Sequence, residues 1–231
     1  MLALPLALAL FAATPMPLPA QDAAPAAQQD DESQVDRASN FISAAKPAEA
    51  VALLDSLIAT QERRRQGDDR QTYCARSPAE ALLYSSRAAS EKKAAVVLPQ
   101  TACYSIFLKG FALIDLNRSH EAKAWLERAL AMAPSNAQFL GELAEWYKSR
   151  RDWVAARRLF QRAVDAAALS PDNRRIFDQT RGMRGLGYIL IEEGKFDAAE
   201  AIYRECLALD PNDERSKHQL DYIANQRGKK T

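Results

Sequence analysis

The feature that most constrains this chain is a pattern that returns along it. Ala122, Leu126 and Ala129 recur 34 residues later as Ala156, Phe160 and Ala163, and 43 residues after that as Ala199, Tyr203 and Cys206. Gly110 stands 24 residues before Pro134, and Gly187 stands 24 before Pro211, so the two outer units share one internal ruler. A fixed period of this length marks an array in which each unit is one supersecondary element that can bury its apolar face only against its neighbours. The extra residues of the longer interval fall around 171–179. They are either a lengthened loop or added turns on the helix that follows.

Each unit reads as a helical hairpin. In the middle unit Leu140, Leu143, Ala144 and Tyr147 fall at i, i+3, i+4 and i+7, the stripe of a helix with one buried face. Ser149-Arg150-Arg151-Asp152 interrupts the rhythm, and Trp153, Ala156, Phe160, Ala163 and Val164 resume it on a second helix. Small residues at Gly110, Ala144, Gly187, Ala122, Ala156 and Ala199 mark places where two helices approach closely. Pro134 and Pro211 follow the second helices, where they end one hairpin and open the next.

These residues resemble the tetratricopeptide repeat family. The matching pieces are Leu143-Ala144-x-x-Tyr147 with Ala156-x-x-x-Phe160-x-x-Ala163, and Leu186-Gly187-x-x-Leu190 with Ala199-x-x-x-Tyr203 and Leu209-Asp210-Pro211-Asn212. Lys195-Phe196-Asp197-Ala198-Ala199 is similar to that family's inter-helix turn. The resemblance spans 101–213 as three units and implies an all-α fold, a right-handed α-solenoid of antiparallel helix pairs. A degenerate helical region over 35–100 precedes them, where Lys46-Pro47-Ala48-Glu49-Ala50 with Leu54, Leu57 and Phe41 looks like a weaker unit and 66–100 departs from the pattern. Residues 214–231 read as a capping helix, with Leu220 and Ile223 inward, and a polar tail.

The resemblance also implies a concave groove lined by the first helix of each hairpin, where a protein or peptide segment binds. On this sequence that groove would present Tyr104, Phe107 and Phe111, then Gln138, Glu145 and Lys148, then Arg181, Arg184 and Tyr188. Phe107 and Phe111 have an equally simple reading as packing residues. Arg181 and Arg184, about one helical turn apart, are expected to need water or a partner. Some family members clamp an acidic chaperone tail with Lys and Asn side chains. The matching positions here carry Phe107, Gly141 and Arg184, then Phe111, Glu145 and Tyr188, so that ligand is not expected.

Residues 1–20 read as an export signal, with the apolar run Leu2–Phe11 and Leu18-Pro19-Ala20 at the cleavage point; four prolines and the short length disfavour a membrane span. Residues 21–34 are Ala, Pro, Gln, Ser and acidic residues and are expected to be a flexible spacer. The expectation is therefore a periplasmic or secreted protein with no stable span after signal removal. No cysteine precedes Cys74, which disfavours a lipid anchor. In an oxidising compartment Cys74 and Cys103 could form a bridge worth about 3.5 kcal/mol through the unfolded chain, the alternative being two separate buried thiols. Cys206 sits in an apolar stripe and reads as a small core residue.

The remaining chemistry is sparse. Two histidines, His120 and His218, have no Cys or carboxylate partners at ligand spacing, so no metal site and no cofactor is expected. Gly182-Met183-Arg184-Gly185-Leu186-Gly187 has the outline of a phosphate loop but lies in repeat register without a preceding strand, and helix packing accounts for its glycines. Arg63-Arg64-Arg65 reads as a solvated helix end rather than a phosphate contact. A net charge of +1 disfavours nucleic acid as a partner. The expectation is a non-enzymatic adaptor. A structural subunit of a fixed complex or homo-oligomer is the rival reading, and a hydrolase using Cys74 or a carboxylate pair is a weaker one.

Overall fold

In the computed structural model, residues 26–228 are described and form ten helices and two short strands. The leader over 1–20, the first part of the spacer and residues 229–231 lie outside the described residues. Four antiparallel hairpins follow one another: α1 (Ala26–Ser43) with α2 (Pro47–Arg64), α4 (Thr101–Asp115) with α5 (Ser119–Met132), α6 (Ala137–Ser149) with α7 (Trp153–Ala166), and α8 (Asp172–Glu192) with α9 (Phe196–Leu209). α10 (Glu214–Gly228) packs on α9 and closes the stack.

All four hairpins turn in the same way. Ala45, Asn117, Arg151 and Gly194, each two residues before its second helix, adopt positive φ of 56°, 58°, 58° and 72°. In each case the next residue's N–H reaches back five residues along the chain, as in Lys46 to the Phe41 carbonyl and Lys195 to the Leu190 carbonyl, both 2.8 Å. This is the Schellman termination, which satisfies carbonyls that the first helix leaves open. Its recurrence at Ala45 makes α1–α2 a repeat of the same kind as the other three, although its apolar pattern is weaker.

Close approach explains the small residues. Ala122, Ala156 and Ala199 are fully buried. A Cβ added at Gly187 would stand 2.7 Å from the Tyr203 ring, and one at Gly182 would stand 2.8 Å from Val164. The glycine run over 182–187 is therefore the packing face of α8. The extra residues of the long interval are added helix: after a single 3-10 turn at Ala167–Leu169, α8 runs for 21 residues, against 13 in α6.

Two expectations for the N-terminal part need correction. The spacer expected over 21–34 is helical from Ala26 onward, because Asp31 is buried against α2, where Arg64 Nη1 (2.8 Å) and Gln61 Nε2 (3.0 Å) donate to its carboxylate. Over 26–34 polar anchoring takes the place of an apolar stripe, which begins only at Val35 and Ala38. The region 35–100 is also not wholly helical. Between α2 and α4 the chain inserts β1 (Gln71–Ala75), α3 (Pro78–Ser90) and β2 (Ala95–Pro99), the strands pairing in parallel from Gln71 opposite Ala95 to Ala75 opposite Pro99. Ala95-Val96-Val97-Leu98 is short, β-branched and closed by Pro99, which suits a strand.

The insertion is fastened at three places. Cys74 of β1 is disulfide-bonded to Cys103 in the first turn of α4, with Cα atoms 6.1 Å apart. The Tyr84 hydroxyl accepts the Ser135 N–H (3.1 Å) between α5 and α6. Arg76, at 3% side-chain exposure, donates to Glu80 (3.1 Å), to Asp178 of α8 (2.9 Å) and to Ser170 Oγ (2.9 Å). Ser77 caps α3 by accepting the Glu80 N–H and donates its own hydroxyl to the Leu169 carbonyl (2.6 Å). A buried cation between two buried carboxylates depends on such bonding; among the described residues only Asp178 Oδ1 of this cluster lacks a hydrogen bond, with Arg174 3.6 Å from it.

Candidate functional site: the groove along the first helices

The first helix of each hairpin contributes to one continuous depression. Its α1 end, about 370 Å³, is lined by Glu32, Val35 and Asp36 of α1, Arg76 of the insertion, Thr101 and Tyr104 of α4, Gln138 of α6 and Pro171 and Arg174 at the start of α8. A middle section of about 240 Å³ shares Tyr104 and Gln138 with it and adds Ser39, Ile42, Phe107, Phe111, Glu142 and Arg181. The α10 end, about 440 Å³, shares Arg181 and adds Glu145, Lys148, Arg184, Tyr188, Arg215, His218 and Gln219. All nine groove residues expected from sequence, Tyr104, Phe107, Phe111, Gln138, Glu145, Lys148, Arg181, Arg184 and Tyr188, line this depression.

Lining is not the same as availability. Phe107 is 3% exposed, its ring stacked on Phe139 at 4.5 Å between centroids and on Tyr104 at 5.5 Å. It is floor, because packing two aromatic rings releases more water-exposed apolar area than leaving one open. Phe111 is half-buried at the edge of that cluster. Tyr104 Oη receives Gln138 Nε2 at 3.3 Å, which leaves both side chains facing the groove.

The cationic side chains are also less free than their spacing suggests. Arg181 bonds Glu142 (2.5 Å) and Arg184 bonds Asp213 (2.6 Å), so the partner expected for these charges is supplied from within the chain. Lys148 meets Glu145 (2.5 Å) and lies 4.6 Å from the Tyr188 ring centroid. The Asp213 carboxyl is pushed up by burial, but hydrogen bonds from Ser216 and Arg184 outweigh this and hold it below the usual carboxylate range. Burial raises the Tyr188 hydroxyl above its ordinary value, and a neighbouring Glu192 adds to that.

Sequence reasoning missed three contributors. Glu32 was hidden by the spacer reading and the later α1 side chains by the weak pattern of the first unit, Arg76 by the departure of 66–100 from the repeat, and Arg215, His218 and Gln219 by treating α10 as a cap only. The i, i+3, i+4 spacing of Arg215, His218 and Gln219 was the available signal. Among the described residues there is no group of three or more His, Cys, Asp or Glu side chains placed to hold a metal. No described helix is long and apolar enough to cross a membrane. Cys206 is buried, its thiol pushed up by burial.

Stacked antiparallel hairpins with identical turns and a groove along their first helices define an α-solenoid repeat protein. Residues 107–171 and 185–213 each match a model of the tetratricopeptide repeat. Over these residues the chain is built of tetratricopeptide repeats. Among solved structures it is similar to Pseudomonas aeruginosa PilF (TM-score 0.60, 11% identity, 88% of this chain and 71% of that one). It is also similar to the nearly identical repeats of a kinesin light chain from Podospora anserina (0.57, 17%, 86% of each) and to MamA from Desulfovibrio magneticus RS-1 (0.54, 12%, 86% and 85%). These likenesses concern the fold. Comparison with curated proteins gives no match.

Proposed function

We propose that this chain is an exported, non-enzymatic adaptor whose groove binds a segment of another protein and so assembles a complex in the cell envelope or outside the cell. The observation that carries this reading is the continuity of the groove across all four first helices and α10, with aromatic, amide and charged side chains turned into it. Aromatic and Arg side chains are the types that most often dominate binding energy. Export is supported by the apolar leader and by the pairing of Cys74 with Cys103 while the third cysteine is buried.

A photo-crosslinking residue at Tyr188 in the groove, compared with one at Val154 on the outer face of α7 (84% exposed), tests the binding surface. Crosslinks to a defined polypeptide from 188 and none from 154 are expected. The reverse distribution would move the interface to the outer face. A second reading, a subunit buried against copies of itself or in a fixed complex, is favoured by Leu82 on α3 (70% exposed) and by Ile176 and Phe177 on α8. Light scattering separates the two, since an adaptor without ligand is expected to remain monomeric at micromolar concentration.

A further inference from the structure

Charge along the groove is uneven, and it stays so once internal ion pairs are set aside. At the α1 end Glu32 and Asp36 stand one turn apart on the exposed side of α1. Among the described residues Glu32 accepts only the neutral Gln28 amide (3.1 Å), and Asp36 carries no ion pair. The two cations that line this end with them are turned away: Arg76 is held by Glu80 and Asp178, and Arg174 lies toward Asp178 (3.6 Å) and over the Phe177 ring. At the other end Arg215 and His218, one turn apart on exposed positions of α10, line the depression with no ion pair among the described residues, in the same section as Lys148 and Arg184. Between the ends Ile42 and Phe111 supply apolar surface beside Ser39, Gln138 and the mutually paired Glu142 and Arg181.

The unpaired charges are therefore two carboxylates where the groove begins and the Arg215 guanidinium where it finishes, with His218, neutral at pH 7, one turn from it. Neighbouring helices pack about 8–10 Å apart, and four steps lead from α1 through α4, α6 and α8 to α10. An extended chain at about 3.3 Å per residue covers that distance with roughly ten to twelve residues. Charge of the wrong sign at either end would meet like charge in a partly desolvated cleft, which selects against it.

Resting on the adaptor reading above, we infer that the groove's ligand is a bipolar polypeptide segment of about this length. Its basic end lies on Glu32 and Asp36, its apolar residues cover Ile42 and Phe111, and its acidic end lies between α8 and α10 at Arg215 and His218. Exposed ion pairs are individually worth only a factor of a few, so the selectivity comes from several acting together and is expected to weaken with salt.

The test uses three fluorescein-labelled twelve-residue peptides with the same Leu-Phe centre, bearing Lys pairs at both ends, Glu pairs at both ends, or Lys at one end and Glu at the other. Fluorescence anisotropy at low salt should show the bipolar peptide bound roughly tenfold more tightly than either of the others. The double variant Glu32→Lys with Asp36→Lys should prefer the doubly acidic peptide, and Arg215→Glu with His218→Glu the doubly basic one. All four positions are exposed, and circular dichroism checks that the variants fold. Equal binding of the three peptides, or variants that do not exchange preference, overturns the charge rule while leaving the groove as a peptide site. Failure of all three to bind overturns both.

Discussion

Replacing Arg76 by Met probes the contact that clips the insertion to α8. Arg76 lies between Glu80 (0% side-chain exposure) and Asp178 (1%) and bonds both, so the substitution leaves two buried carboxylates facing one another without their cation. Removing one member of a buried ion pair costs about 3–5 kcal/mol. The Arg76 backbone N–H still donates to Glu80 (2.7 Å), which places the loss toward the lower figure. In a chain of this size each kcal/mol moves the melting temperature by about 2–4 °C, so a fall of roughly 10 °C is expected.

The loss should also depend on pH. Burial already raises the Glu80 carboxyl, against the opposing pull of Arg76. A folded-state pKa above the ordinary value contributes stability that is complete below that value and is lost as pH rises through the folded one. Without Arg76 the carboxyl rises further, so the deficit should be larger at pH 8 than at pH 5. Thermal unfolding followed by circular dichroism at both pH values reads this directly. The combined change Arg76→Met, Glu80→Leu and Asp178→Leu should recover most of the loss, because an apolar trio carries no buried charge. A single variant within about 1 kcal/mol of wild type at both pH values would refute the reasoning.

Other substitutions address the repeat packing and the cysteines. Gly187→Ala should cost about 1–2 kcal/mol, since crowding against Tyr203 outweighs a helix-propensity gain of about 1 kcal/mol; urea unfolding measures it, and a neutral or stabilised variant would contradict the close approach. Asp213→Asn should be clearly destabilising at pH 7 and no worse than wild type well below pH 3.8, because a carboxyl held below that ordinary value gives stability that disappears as pH falls; a deficit constant with pH would show that the charge is not used. In unfolded, unreduced protein one thiol, that of Cys206, should react with a thiol reagent, and three after reduction; three before reduction would remove the bridge and weaken the argument for export. Arg184→Glu should unseat α10, since it sets a carboxylate against Asp213, so loss of its amide protection is expected where an exposed Arg would have given none.

The three regular hairpins were legible because their signal is local and periodic: small residues where helices cross, aromatic residues one ridge away, and prolines at the ends. The first turns of α1, over 26–34, were not legible, since what docks them is an aspartate bonded to Arg64 and Gln61, a contact across about thirty residues that no period encodes. The insertion shared that difficulty, because two five-residue strands pairing in parallel depend on a partner about 24 residues away rather than on their own pattern. For the groove, register placed every expected side chain on its wall. Which of them are open to a ligand depended on third parties invisible to register: Phe139 over Phe107, Glu142 on Arg181 and Asp213 on Arg184.

The central claim is that a polypeptide lies along the first helices. Hydrogen–deuterium exchange with and without a bound partner segment tests it most directly. Slowed exchange concentrated in α1, α4, α6, α8 and the first turns of α10, with α5, α7 and α9 unchanged, is the predicted result; protection confined to the second helices would contradict it.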